Sequence, residues 1–459
     1  MQYLAKIICL LSLVVYTPGA AALPGNGGWK AGVARIRITP DEPMWMGGYA
    51  ARNRPAEGTG IELWAKALAL EDATGKRVLL ITTDLLGIPA ALSSKIRGRI
   101  KALFGLERDA VMLNSSHTHS GPALARSLAN ANPVDPEVTQ KINAYSERLV
   151  EMIVQVAGDA LRSVAPARVY AGNGVTRFQV NRRNNNESQI GSVTDLAGPN
   201  DYAVPVILVE NQQGKPMAIA FGYACHATVL SGYDWSGDYP GYAQLELEQM
   251  HPGATALFFQ GAGGDQNPMP RHTVALARQY GRTLAAAVDR VLSDGLRELE
   301  PRIRTAYAEI GLELSAPPAR EEVARIASES SGFMKRWAER LLSQLEAGDP
   351  VMDSYPYPLQ AWKLGDQPVL ALGGEVVVEY AIELKRLFGQ DIFVLGYSND
   401  VMGYIPSLRI LREGGYEGAV SQMVYGLPGP WSWNVEAQII SKMEELAARA
   451  GILKVPKNK

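Results

Sequence analysis

The stretch Ala110-Val-Met-Leu-Asn-Ser-Ser-His117-Thr-His119-Ser-Gly-Pro122 decides how the chain is read. Its first five residues, Ala110–Asn114, have the composition of a short buried strand. The chain then enters a small, polar loop that carries two histidines. Helical spacing lies on both sides of it, over Ser93–Phe104 and over Glu137–Ser163. Asp135-Pro136 announces the second of these as an N-cap followed by Pro at the first helical position. The same alternation extends outward. Strands are expected at Val33–Thr39, Glu62–Leu70 and Arg77–Thr83 on one side. Arg168–Ala171, Val204–Glu210, Met217–Tyr223 and Ala254–Phe259 follow on the other. Beyond them come a helix at Thr273–Leu296, a strand at Arg304–Leu314, one charged helix over Glu321–Glu346, a strand at Ile392–Gly396 and a closing helix at Asn434–Ala450. Interleaved strands and helices predict an α/β layered architecture, with central sheets flanked by helices. Gly198–Asp201 and Ala347–Pro358 are the best linker candidates, but neither has the composition of a flexible tether. One large domain over residues 23–459 is expected.

Composition narrows the function. The 459 residues carry 45 Lys and Arg against 47 Asp and Glu. That balance removes the electrostatic argument for a nucleic-acid partner. Two Cys rule out a disulfide scaffold and any multi-cysteine zinc module. Met1–Ala22 reads as a signal peptide: Lys6, the apolar run Ile7–Tyr16, a Pro-Gly break and Ala20-Ala21-Ala22. Its apolar run is shorter than the roughly 20 residues that span a bilayer. The protein is therefore expected to be exported, secreted or periplasmic, with Cys225 as its one remaining thiol. No other stretch reaches transmembrane length.

The five histidines then become informative. His117 and His119 alternate in extended backbone, so both rings are expected on one face. A His-x-His pair of this kind is a plausible metal signature, because neutral imidazole ligates zinc. His226 follows the apolar strand Met217–Tyr223 and reads either as a core histidine or as a ligand. Its neighbour Cys225 reads as a thiolate ligand or as a buried thiol facing the other way. Ser236-Gly-Asp238 and Gln260-Gly-Ala-Gly-Gly264-Asp265-Gln-Asn267-Pro are Gly-Asp turns. The second stands at a strand's carboxyl end, where ligands collect in open α/β sheets, and its N–H groups are candidates to hold an oxyanion. His251 and His272 lie in polar, proline-containing surroundings and are expected on the surface.

In chain order the motifs are Ala31-Gly-Val-Ala-Arg-Ile-Arg-Ile-Thr-Pro40, Met46-Gly-Gly-Tyr49, Thr83-Asp84, His117-Thr-His119-Ser-Gly-Pro and Val180-Asn-Arg182. Then come Cys225-His226, Ser236-Gly-Asp238, Gly264-Asp265, Gly374-Glu375, Ser398-Asn-Asp-Val-Met-Gly-Tyr404 and Tyr416-Glu-Gly-Ala419. Together they resemble the neutral/alkaline ceramidase family, over most of residues 23–459. The resemblance implies an αββα-like fold and a zinc hydrolase that cleaves an N-acyl amide through a zinc-bound hydroxide. It implies one Zn2+ held by His117, His226, Glu375 and Tyr404. His119, Arg182 and Tyr416 are implied as the catalytic groups, acting on the proton and on the carbonyl oxygen. Asp238 is expected to accept a hydrogen bond from a ligating imidazole, and Asp265 and Asn267 to line or support the substrate site. On their own, Glu375 reads as a carboxylate opening a helix, Tyr404 as a packed aromatic and Arg182 as part of a polar loop.

Two departures from the family pattern bear on the substrate. Asn267 stands where the family motif has Ser, which removes a hydroxyl. The chain also ends at Lys459 soon after the closing helix, whereas the family's full-length members carry a further β-domain. The expected partner is a small-molecule or lipid N-acyl substrate, ceramide-like or not. A lipid substrate would bring peripheral contact with a membrane. Trp45, Met46, Trp235, Trp431 and Trp433 are candidates to line an acyl groove. The competing readings are a non-catalytic binding protein that keeps the fold and a zinc esterase or phosphoesterase.

Overall fold

The computed structural model describes residues 27–131 and 135–456. The signal-peptide expectation for residues 1–22 lies outside them. Two sheets dominate. The larger runs in the spatial order Thr255–Gln260, Pro216–Tyr223, Ala203–Asn211, Ala165–Val175, Trp29–Arg37, Trp64–Glu71, Arg77–Thr83, Val111–Ser115, with Arg297–Glu298 added beside Ala165–Val175. Its inner pairs are antiparallel, and both outermost pairs are parallel. The smaller sheet orders Ile303–Glu313, Ser354–Leu364, Gln367–Leu372 and Phe393–Leu395.

The sheets pack face to face. Leu68, Leu70, Leu80, Met112 and Phe259 of the first meet Trp362, Leu364, Val369 and Phe393 of the second. Strand Trp64–Glu71 is buried almost end to end, as a strand covered on both faces must be. By alternation its leucines Leu68 and Leu70 face the second sheet and its alanines Ala65, Ala67 and Ala69 face outward. The alanine face leaves room for helix Pro136–Arg162, which lies against this strand and Trp29–Arg37. Asp135 caps that helix, accepting from the N–H groups of Glu137 and Val138. Helices Asp238–Met250 and Val274–Ser293 cover the other end of the large sheet, and helix Val435–Arg449 covers the small one. The order is helix, sheet, sheet, helix, which is the expected layered α/β architecture. No helix among the described residues is long and apolar enough to cross a membrane.

Most expected elements lie within a few residues of their places, and Arg77–Thr83 coincides. Three expectations are corrected. Glu321–Glu346 is two helices, Arg320–Glu329 and Gly332–Ala347, broken where Gly332 takes φ 60°. Ala347–Pro358 is no linker, because strand Ser354–Leu364 begins inside it. Gly198–Asp201 is no linker either. The Pro199 carbonyl holds the Asn181 carboxamide at 3.1 Å, and the Lys385 ammonium holds the Asp201 carboxylate at 2.6 Å.

Gly32 sets the spacing between the first strand and its helix. A Cβ there would lie 2.1 Å from the Ala160 carbonyl oxygen and 2.8 Å from the Val164 nitrogen. Both are backbone atoms, so no rotamer relieves the clash. Gly98 sits mid-helix in Ala90–Phe104 with nothing within 4 Å of the corresponding point. Gly32→Ala is therefore expected to lose about 1–3 kcal/mol of stability. Gly98→Ala is expected to gain about 0.4–1 kcal/mol. Urea unfolding midpoints of the two variants check the pair.

Candidate functional site

The site forms where the strand ends of the large sheet meet the second sheet. Strand Val111–Ser115 stops before the histidines, and His117 takes φ 59°. The two rings thus meet because of a left-handed turn, not because of strand alternation as expected from the sequence. Non-glycine residues in this region cost energy and cluster at functional sites. His117 Nε2 and His119 Nε2 lie 3.2 Å apart. His226 is fully buried beyond strand Pro216–Tyr223. Glu375 does not open a helix. It lies in the two-residue strand Glu375–Val376, paired parallel with Tyr404–Ile405, and the helix starts at Val378.

The atoms converge closely. Glu375 Oε2 is 2.9 Å from His117 Nε2 and 3.0 Å from His226 Nε2, and Tyr404 Oη is 3.1 Å from His226 Nε2. The far side of each imidazole fixes its tautomer. His117 Nδ1 donates to the Leu86 carbonyl at 2.6 Å, and His226 Nδ1 donates to the Gly263 carbonyl at 2.7 Å. A carbonyl only accepts, so both protons sit on Nδ1 and both Nε2 lone pairs face the Glu375 carboxylate. Burial, with the Arg182 charge behind it, pushes His226 down to about 4, so its ring is neutral near pH 7. Burial opposes the charge of Glu375. Tyr425 donates to the other oxygen, Oε1, at 2.5 Å.

Two lone pairs and a carboxylate aimed at one dry point repel one another unless a cation lies among them. Tetrahedral zinc, with bonds near 2.0–2.2 Å, sets its ligand atoms roughly 3.3 Å apart. The observed separations and donor chemistry fit a divalent metal. His117, His119 and His226 also place one nitrogen each within 4.8 Å of one another. His119 differs from the other two. Its Nδ1 is buried without a partner, and Arg52 holds its backbone carbonyl at 2.6 Å. Burial and then the neighbouring imidazoles push the His119 ring well below its ordinary value.

Arg182 borders the cluster. It donates to Tyr404 Oη at 3.0 Å, to Glu417 Oε1 at 2.8 Å and to Asn267 Oδ1 at 3.3 Å. Tyr416 packs its ring 5.4 Å from that of Tyr404 and is 44% exposed. Asp265 supports the loop. It accepts from the Asn181 carboxamide at 2.8 Å and from the Val378 N–H at 2.9 Å.

Several expectations do not hold. Asp238 touches no ligating imidazole; it accepts from the N–H groups of Val229, Leu230 and Tyr239, and backbone carbonyls take its expected role. The Gly261 and Gly264 N–H groups donate to the Tyr223 and Val376 carbonyls, so that loop contributes the Gly263 carbonyl instead of an anion nest. Met46, Trp235 and Trp431 are buried in the cores, Trp45 packs against the first core and Trp433 is exposed. Cys225 is a free, buried thiol. His272 is exposed, and His251 pairs with Asp289 at 3.0 Å. Sequence reasoning missed Tyr425, Arg52 and Glu417. No spacing or motif singles out Tyr425 among 19 tyrosines.

Fold and site together define a layered α/β protein with a buried histidine–carboxylate cluster able to hold a divalent metal. The family model for the neutral/alkaline non-lysosomal ceramidases, N-terminal part, matches residues 29–274. The chain belongs to that family. It is 22% identical to the neutral ceramidase of Pseudomonas aeruginosa over 514 aligned positions, covering 95% of this chain and 74% of that protein. Neutral ceramidase A of Dictyostelium discoideum is 26% identical over 269 positions, 54% of this chain and 37% of that protein. The crystal structure of the Pseudomonas aeruginosa neutral ceramidase superposes with a TM-score of 0.72 at 20% identity, covering 94% of this chain and 76% of that one.

A ligand that binds only the folded state stabilises it. Zinc added to chelator-treated protein is expected to raise the melting temperature, and at 100 times Kd the gain is about 2.7 kcal/mol. Glu375→Gln keeps the shape but removes the charge. It is expected to abolish most of that rise in a thermal scan with and without zinc.

Proposed function

We propose that the protein is an exported zinc-dependent amidohydrolase that cleaves the amide bond of an N-acyl substrate, ceramide-like or related. The observation that carries this reading is the convergence of His117, His226 and Glu375 on one point beside Arg182. Family membership and the names of its relatives support it. His117, His226, Glu375 and Tyr404 are the proposed ligands of one Zn2+. His119 is left outside this set because its Nδ1 has no partner, whereas a ligating histidine commonly donates its other N–H to a fixed acceptor.

A zinc ion held there supplies Lewis acidity towards water and the amide carbonyl. The chain's own groups do the rest. Arg182, anchored by Glu417, directs N–H donors towards the carbonyl oxygen as it gains negative charge. Tyr416, at the mouth, offers a hydroxyl to the same oxygen. His119, kept neutral by burial, takes a proton from the attacking water and returns it to the leaving amine. The neighbouring backbone carbonyls fix the rings of His117 and His226 and spare them any proton transfer.

A phosphoesterase reading is weaker. Such enzymes generally use two metals and more carboxylates. Asp84 is committed to the Trp64 N–H and to Gln244, and Asp238 and Asp265 to backbone N–H groups. Each is occupied away from the histidine cluster.

The test combines metal analysis with turnover of short-chain ceramide and simpler N-acyl amides. Wild type is expected to hold about one zinc, to lose activity with a chelator and to regain it with zinc. His117→Ala and Glu375→Ala are expected to lose the metal. His119→Ala and Arg182→Ala are expected to keep it and lose about 10²–10⁴-fold in kcat. Zinc-free wild type that still turns over substrate would sink the reading. Export is checked by the mass of the mature chain recovered outside the cytoplasm, which is expected to lack residues 1–22.

A further inference from the structure

Beside Arg182 and Tyr416 the surface opens into a cleft of about 780 Å3. Its floor adjoins the proposed metal ligands, because Arg182 donates to Tyr404 and Tyr416 packs on the same ring. Its walls are polar: the segment from Arg183 to Gln189, Arg271 and Asn267 form them, and Met269 is the one aliphatic side chain among the lining residues. An alkyl chain seated there would strip water from these groups and return no hydrogen bonds. Such unpaired polar groups are costly.

The charges in the cleft are already balanced. Arg182 pairs with Glu417, Arg183 with Glu417 and Glu413, and Arg271 with Glu187. No guanidinium among them is left without a carboxylate, so the cleft offers hydrogen bonds more than a site for an anion. Asn267 is the best-placed reader. The short strand Gln266–Pro268 pairs antiparallel with Gln179–Asn181 and holds it 5% exposed at the inner end of the cleft. Arginine only donates, so the Asn267 carboxamide must turn its oxygen to Arg182. Its NH2 then remains as a donor beside the reacting centre.

We propose that one substituent of the scissile amide is a hydrophilic, uncharged group rich in hydroxyl or carbonyl oxygens, seated in this cleft and read by the Asn267 NH2. The proposal rests on the amidohydrolase reading above.

The test uses three amides of matched size on the zinc-loaded full chain. One carries alkyl groups on both sides of the bond (N-hexyl hexanamide). One carries a polyol on nitrogen (N-hexanoyl glucamine), and one a polyol on the acyl side (N-hexyl gluconamide). Binding is read by calorimetry and cleavage by amine release. One polyol amide is expected to bind and react about tenfold better than the dialkyl amide, the order of magnitude that a buried hydrogen bond left unmade costs. Asn267→Leu is expected to remove most of this preference. Asn267→Ala, which removes the donors without adding an acceptor or a charge, is expected to do so too, so a folding defect in one variant leaves the other to decide. Preference for the dialkyl amide, no binding of either polyol amide, or a preference that survives both substitutions would overturn the proposal. Asn267-dependent binding without cleavage would support the cleft and defeat the hydrolase reading. Cleavage without preference would do the reverse.

Discussion

The structure turns on a convergence of like polarity. Two imidazole lone pairs and a carboxylate face one buried point, and their mutual repulsion has to be overcome by the scaffold. The scaffold does so through backbone. The Leu86 and Gly263 carbonyls take the Nδ1 protons of His117 and His226 and so aim the opposite nitrogens inward. Glu375 is brought to the same point by pairing with Tyr404 in a two-residue strand. Gly264 makes that approach possible, since a Cβ there would meet the Glu375 carbonyl oxygen at 2.6 Å. Electrostatics sets what the site can do, and backbone sterics sets where it is.

That geometry requires the two sheets to hold their relative positions. Asn114 is the main tie. Its carboxamide accepts from the Gln260 N–H at 2.8 Å and donates to the Gly396 carbonyl at 2.9 Å. It thereby joins the two outermost strands of the large sheet to the loop leaving the small one. His117 lies three residues beyond Asn114, and the Gly263 carbonyl lies three beyond Gln260. Asp265 extends the tie by accepting from Val378 at the start of the next helix. His117 and Glu375 thus each lie three residues from a fixed backbone junction, which suits a rigid first layer of chemistry.

The layered fold was legible because strands and helices alternate with distinct periodicities, and Arg77–Thr83 shows how clean that signal is. Strand Ser354–Leu364 was hidden by Pro356 and Pro358. Those prolines sit where the strand pairs only with Ile303–Glu313, before its second partner begins at Leu359. Their missing N–H groups cost little on that open side, but in sequence they read as a linker. The His117 and His119 pair was legible from its spacing, although a left-handed turn, not alternation, brings the rings together. Glu375, Tyr404 and Arg182 were legible only through the family resemblance, because each is brought in from a remote segment by long-range pairing. Tyr425 and Arg52 left no signal at all: their roles come from where the chain returns in space.

The polar cleft changes how the aromatic residues should be understood. Trp235 and Trp431, which suggested an acyl groove, serve the cores, while the surface next to the cluster is built from guanidinium, carboxylate and carboxamide groups. The charge pattern explains why. Arg182 stands one phenol away from a point suited to a dication, and two cations at that distance repel one another. Glu417, itself buried, answers this by pairing with Arg182, and Arg183 then answers the second oxygen of Glu417 and reaches on to Glu413. Alternating charges of this kind let a cation stand beside a metal site without a net excess of positive charge. The chain of pairs forms a wall of the cleft. The demand for charge balance at the reacting centre therefore also makes its approach polar. Selectivity for a hydrogen-bonding substituent follows from the same pairs that keep Arg182 in place.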